Sequence, residues 1–138
     1  MPRVVSLDDA ARMACELPEV SEVERYGNRA WAVPGTTKRG GPKVFAWERP
    51  FSKADIERYG AKTPPSGPIL AIRVADLHEK EAVLAANPGG FFTIPHFDGY
   101  PAVLVRLEEV GEEALREALL DGWLACAPPQ LAERYRPG

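Results

Sequence analysis

Phe91-Phe92-Thr93-Ile94-Pro95-His96-Phe97-Asp98-Gly99-Tyr100-Pro101-Ala102-Val103-Leu104-Val105-Arg106-Leu107 is the densest local signal in the chain. An aromatic-rich segment reads as extended backbone running into a turn at Asp98-Gly99. Asp bonds its own backbone there, and Gly supplies the left-handed residue a tight turn needs. The apolar run that follows reads as a buried strand. One of only two histidines, His96, stands in the middle. The stretch predicts a corner joining two strands beneath the last helix, with the fold organised around it.

Downstream, Gly111-Glu112-Glu113 opens that helix. Leu115, Leu119, Trp123 and Cys126 recur at helical spacing, the stripe of a helix lying on a sheet. Pro128-Pro129 ends it, and one further turn is expected over 130–135. Upstream, Ile69 to Ala75 predicts a strand. Asp76 with Glu79 reads as a capping-box-like start, and that helix stops at Asn87-Pro88-Gly89-Gly90. Nearer the N-terminus, Ser6 is a candidate N-cap, with Asp8 and Asp9 placed where the helix dipole favours negative charge. Leu7, Ala10, Ala11, Ala14 and Leu17 supply an apolar face, and Pro18 stops the helix. From Val20 to Trp47 the period shortens to that of strands. A turn at Gly27-Asn28 and a Pro/Gly-rich basic loop from Pro34 to Pro42 divide this region into a three-stranded antiparallel meander. Residues 50–68, rich in Pro and Gly with a short helix expected after Ser52, read as a surface insertion. The order is helix, three strands, insertion, strand, helix, two strands, helix. Hairpin-linked strands with flanking helices predict an α+β two-layer sandwich: an antiparallel sheet of about five to six strands with the main helices on one face.

A chain of 138 residues fits one domain, 1–138, and buries roughly 68–70% of its unfolded surface, enough for a core without staples. Cys15 and Cys126 fall in helical apolar patterns and are expected to be buried free thiols. Without CxxC or a Cys/His cluster, no metal site is expected. No apolar run reaches the roughly 20 residues of a membrane helix, and the N-terminus lacks a signal-peptide pattern. A cytoplasmic protein is the expectation. The net charge of −3 is unevenly spread. Between Arg25 and Lys62 nine Lys/Arg face three acids, whereas the remainder holds eight against seventeen. Such asymmetry marks either an anion-facing surface or a solvated face.

Gly27-Asn28 followed by Ala30-Trp31, then Val44-Phe45-Ala46-Trp47, and above all Phe91 to Val103 resemble the MmcQ/YjbR family of small bacterial proteins. The similarity runs from Ala10 to about Leu131. The resemblance implies a two-layer α/β fold like that of secretion chaperones, also compared with the frataxin-like shape, and DNA binding through a "double wing". It implies no catalytic residues, and the 50–68 insertion is a variant within the pattern.

Three functional classes remain. His96, Asp98 and Tyr100 are spaced so that, in an extended strand, they would share a face as an acid/base group or partial metal site. The competing reading is a turn at Asp98-Gly99 tied by hydrogen bonds from His96 and Tyr100. Arg29, Lys38, Arg39 and Lys43, interleaved with Tyr26, Trp31, Phe45 and Trp47, could form a wing that contacts DNA phosphates. Against that, the aromatics also suit a sheet core and four cations are few. Thirdly, an open sheet face or edge could serve self-association or a protein partner. No cofactor motif and no phosphate-binding glycine loop is present, so no cofactor or named small molecule is expected.

Overall fold

The structure, a computed structural model, describes residues 5–35, 42–50, 68–86 and 89–135. Ser6 opens the first helix, α1 (Leu7–Cys15), with a reciprocal cap. Its Oγ accepts the Asp9 N–H at 3.0 Å, while the Asp9 carboxylate accepts the Ser6 N–H. Two orphan donors at the helix start are thereby satisfied. Ala10, Ala11, Met13 and Ala14 turn inward. Cys15 lies off that stripe and is exposed, contrary to the expected buried thiol; Cys126 is buried.

Strands β1 (Ser21–Arg25) and β2 (Asn28–Val33) form a tight hairpin. Its two turn residues, Tyr26 and Gly27, both adopt positive φ (54° and 79°), the geometry whose twist matches flanking strands. The turn therefore sits one residue earlier than Gly27-Asn28. Strand β3 (Lys43–Glu48) pairs with β2 through a bulge at Trp31/Ala32, and β4 (Ile69–Arg73) pairs with β3. Helix α2 (Leu77–Ala86) follows, its Asp76 cap accepting the Glu79 N–H at 2.8 Å. The chain returns as β5 (Phe91–Phe92) and β6 (Ala102–Arg106), then α3 (Glu112–Cys126) and α4 (Pro129–Tyr135). The sheet is antiparallel with order β1-β2-β3-β4-β6-β5. An α+β fold with a six-stranded sheet is what the pattern predicts. The expected surface insertion at 50–68 lies, apart from its end residues, outside the described residues.

Alternation along the strands divides the molecule in two. Trp31, Phe45, Leu70, Ile72, Val103 and Val105 pack with α1 and with Leu115, Leu119 and Trp123 of α3. Gly122 explains the close seating of α3: a Cβ there would stand 2.9 Å from Ile72 Cγ2 and 3.0 Å from the Arg73 carbonyl oxygen. The Trp123 indole N–H donates to the Pro18 carbonyl at 3.0 Å, tying α3 to the chain that leaves α1. On the opposite face Ile69, Ala71, Ala102 and Leu104 form a smaller cluster with Ile94 and Phe97. The corner thus folds over the face away from α3 and does not lie beneath it. Nor is 91–97 extended throughout. After Phe92 the ladder stops, and Pro95, which has no N–H to donate, opens a short 3-10 turn over Pro95–Phe97.

Candidate functional site

The corner is built from main-chain hydrogen bonds that its sequence makes easy. The Asp98 N–H returns to the Pro95 carbonyl at 3.0 Å, the Tyr100 N–H to Phe97 at 3.0 Å and the Ala102 N–H to Tyr100 at 2.8 Å. Gly99 takes φ +75°, a conformation glycine enters without strain. The Val74 N–H, donating to the Pro101 carbonyl at 3.0 Å, fastens the corner to the end of β4.

This loop lays Phe97 and Tyr100 on the sheet beside Trp47 of β3. The three rings stack in one group, with centroids 5.6 Å apart for Phe97–Tyr100, 6.5 Å for Trp47–Phe97 and 6.4 Å for Trp47–Tyr100. Two guanidinium groups lie over them: Arg49 is 5.7 Å from the Phe97 centroid and Arg73 is 5.3 Å from that of Tyr100. Each contact contributes roughly 0.5–2 kcal/mol, more as water is excluded. Arg49 also donates from Nη1 to the Pro50 carbonyl at 2.6 Å. A guanidinium stacked by its face presents its N–H groups in the ring plane, a geometry that suits a planar oxyanion. Among the described residues, the Nε of Arg73 is buried with no hydrogen-bond partner, as is that of Arg106 at the end of β6. Lys80 of α2 reaches the corner from the other side. Buried at 7% exposure, its ammonium donates to the Phe97 and Tyr100 carbonyls. Desolvation holds the Lys80 pKa below the ordinary lysine value, with the Asp98 charge opposing.

Asp98 and Tyr100, two of the three corner candidates, do not converge. Tyr100 stacks over the sheet, whereas exposed Asp98 lines a cleft of about 510 Å³ against α2 that also holds His78, Lys80 and Thr93. The backbone of His96 belongs to the 3-10 turn, and its side chain lies outside the described residues. Of the four basic candidates, Lys38 and Arg39 also lie outside the described residues. Lys43 is exposed at the start of β3. Arg29 is engaged elsewhere, 2.7 Å from an Asp8 oxygen and 2.9 Å from Glu22, over the Trp31 ring. Those carboxylates raise its pKa further, hydrogen bonding to Glu22 being the main cause. Lys43 pairs with Val33, four residues along β2 from Arg29. That separation is roughly 13 Å of strand.

Arg49, Arg73, Lys80 and Trp47 escaped the sequence reading as a group. One signal was present: Arg73 falls on the same alternation as Ile69 and Ala71, so it had to share their face.

No family profile matches the sequence. A Deinococcus radiodurans protein with a DUF419 domain, known from its crystal structure, superposes with a TM-score of 0.58 at 20% identity, covering 88% of this chain and 78% of that one. That likeness shows the fold alone. Uncharacterised proteins of Mycobacterium bovis and Mycobacterium tuberculosis are each 44% identical over 131 residues, 93% of this chain and 93% of theirs. With identity of that degree along nearly the whole length of both chains, this chain belongs to one family with those uncharacterised mycobacterial proteins.

Proposed function

We propose that the chain is a bacterial cytoplasmic protein of the MmcQ/YjbR type whose arginine-faced aromatic corner binds a small anion, a carboxylate or a phosphate. The observation that carries this reading is Arg73: its guanidinium lies over Tyr100 while its Nε is buried without an acceptor among the described residues. A buried donor left unmade costs about 1–3 kcal/mol, and arginine cannot lose its proton to escape that cost. An oxyanion that displaces the side chains covering that donor removes the penalty and gains charge-assisted hydrogen bonds. Arg49 over Phe97 supplies a second cation on the same stack.

Calorimetric titration of the full chain with inorganic pyrophosphate and with citrate, at constant ionic strength, tests the reading. Binding of at least one anion is expected, with Arg73→Gln weakening it by about tenfold or more, as loss of a charge-assisted bond implies. No binding in the wild type, or binding indifferent to Arg73→Gln, refutes it.

A second reading keeps nucleic acid as the partner, through Lys38, Arg39 and Lys43. The exposure of Lys43 and the cation surplus between Arg25 and Lys62 favour it. Affinity resting on so few phosphate contacts would fall steeply with salt. Retention on duplex DNA at low salt, abolished by Lys38→Glu with Arg39→Glu, is the outcome this reading requires. Self-association is a third, through β1, an edge strand exposed along most of its length. Its run of Glu22, Glu24 and Arg25 is the kind that blunts edge pairing. A concentration-independent monomer in sedimentation removes it.

A further inference from the structure

We infer that Lys80 is a positioning residue of the anion site: its ammonium holds the two main-chain carbonyls that set Phe97 and Tyr100, and adds positive charge behind the rings. This rests on the reading of the arginine face as a ligand site.

The backbone does not need the lysine. The Phe97 carbonyl already accepts the Tyr100 N–H, and the Tyr100 carbonyl already accepts the Ala102 N–H. Lys80 takes a second position on each, so no orphan acceptor explains it. A buried lysine is rarely found without a pairing charge. Lys80 forms no ion pair among the described residues, and Asp98 acts on it only as a nearby charge. An alkyl side chain of similar length would pack in the same space without the desolvation cost. What the ammonium adds, and an alkyl chain cannot, is a clamp on the two ring-bearing residues and a charge that an anion over them would feel.

Lys80 acts through Phe97 and Tyr100, not by touching the ligand. The charged and titratable groups lining the same cleft are Asp98 on the corner and His78 and Glu81 on its own helix. By linkage, an anion that gains from the ammonium must make Lys80 harder to deprotonate.

The test uses the full chain with pyrophosphate or citrate, whichever the wild type binds. Lys80→Met is expected to fold with its urea midpoint unchanged or raised and to bind about tenfold more weakly, the change in affinity produced by about 1.4 kcal/mol. Lys80→Arg, which keeps a cation, is expected to recover most of the affinity. In the wild type, the Lys80 Cε–H NMR signals should titrate at higher pH with the anion bound than without it. Undiminished affinity in Lys80→Met overturns the inference while leaving the site reading intact. Loss of stability in parallel with affinity shows a structural lysine only, and also overturns it. If Lys80→Met does not fold, the wild-type titration decides, an unmoved midpoint being the negative result. Should the wild type bind neither anion, the site reading falls and this inference falls with it.

Discussion

The two faces of the sheet are built from the same strands and have opposite character. On the helix-covered face, charge is compensated at the margin. Arg29 meets Asp8 and Glu22, Glu22 also accepts the Trp31 indole N–H at 3.1 Å, and the space between is filled by Trp31, Phe45, Leu119 and Trp123. On the corner face Arg73 lies over a ring with its Nε unmet, and Lys80 is buried without an ion pair among the described residues. Compensated charge and dense packing are what stability selects. A buried donor left unmet and a buried ammonium without a counter-charge are costs to the folded protein, of the kind that often gathers at functional sites. One face holds the protein together; the other carries the proposed anion site.

The largest effect that separates the faces is Trp123→Ala. Removing a fully buried indole that also bonds Pro18 should destabilise by about 3–5 kcal/mol, read as a lowered urea midpoint. A cost under about 1 kcal/mol would mean that the helix face is not the main core. Gly122→Ala probes the same face by crowding it. With Ile72 and the Arg73 backbone both within about 3 Å of the new methyl, a loss of about 1–3 kcal/mol is expected from overpacking. A neutral result would show that α3 can lift off the sheet freely.

Arg73→Gln should stand at the other end of the scale, within about 1 kcal/mol of wild type in stability, because the side chain it replaces is unmet at Nε. If it destabilises as much as Trp123→Ala, the corner face is structural and the contrast is lost. The smallest effect concerns pH. Hydrogen bonding to Arg29 holds the Glu22 carboxyl below its ordinary pKa. A depressed carboxylate contributes stability above its unfolded pKa and loses it as pH falls through the folded value. The acid limb of the stability curve should therefore flatten slightly in Glu22→Gln. The change is small because the Glu22 side chain is 38% exposed and its charge is screened.

Much of this architecture was legible in local pattern. The capped start of α1, the stripe Leu115-Leu119-Trp123-Cys126 and the β1–β2 hairpin each follow from residues within two or three turns of one another, where spacing alone decides which side is apolar. The corner was visible as a feature, but its side of the sheet was not. That choice depends on Phe97 meeting Ile69, Ala71 and Leu104, residues brought beside it only by the β4-β6-β5 order. The His96-Asp98-Tyr100 spacing suggested one shared face. Asp98 and Tyr100 do not share that face, because Pro95 turns the backbone into a 3-10 helix and Gly99 reverses it; the His96 side chain lies outside the described residues. Arg49, Arg73 and Lys80 come from the end of β3, the end of β4 and α2. Nothing in their sequence separation announces a meeting.

What the sequence determined by itself, then, was the set of elements, their caps and turns and the helix-side core, since each rests on short-range periodicity and backbone preference. What only the tertiary structure decided was which face receives the corner and which charges are left unmet there. Those depend on strand order and on pairings between distant residues, and no local pattern encodes them.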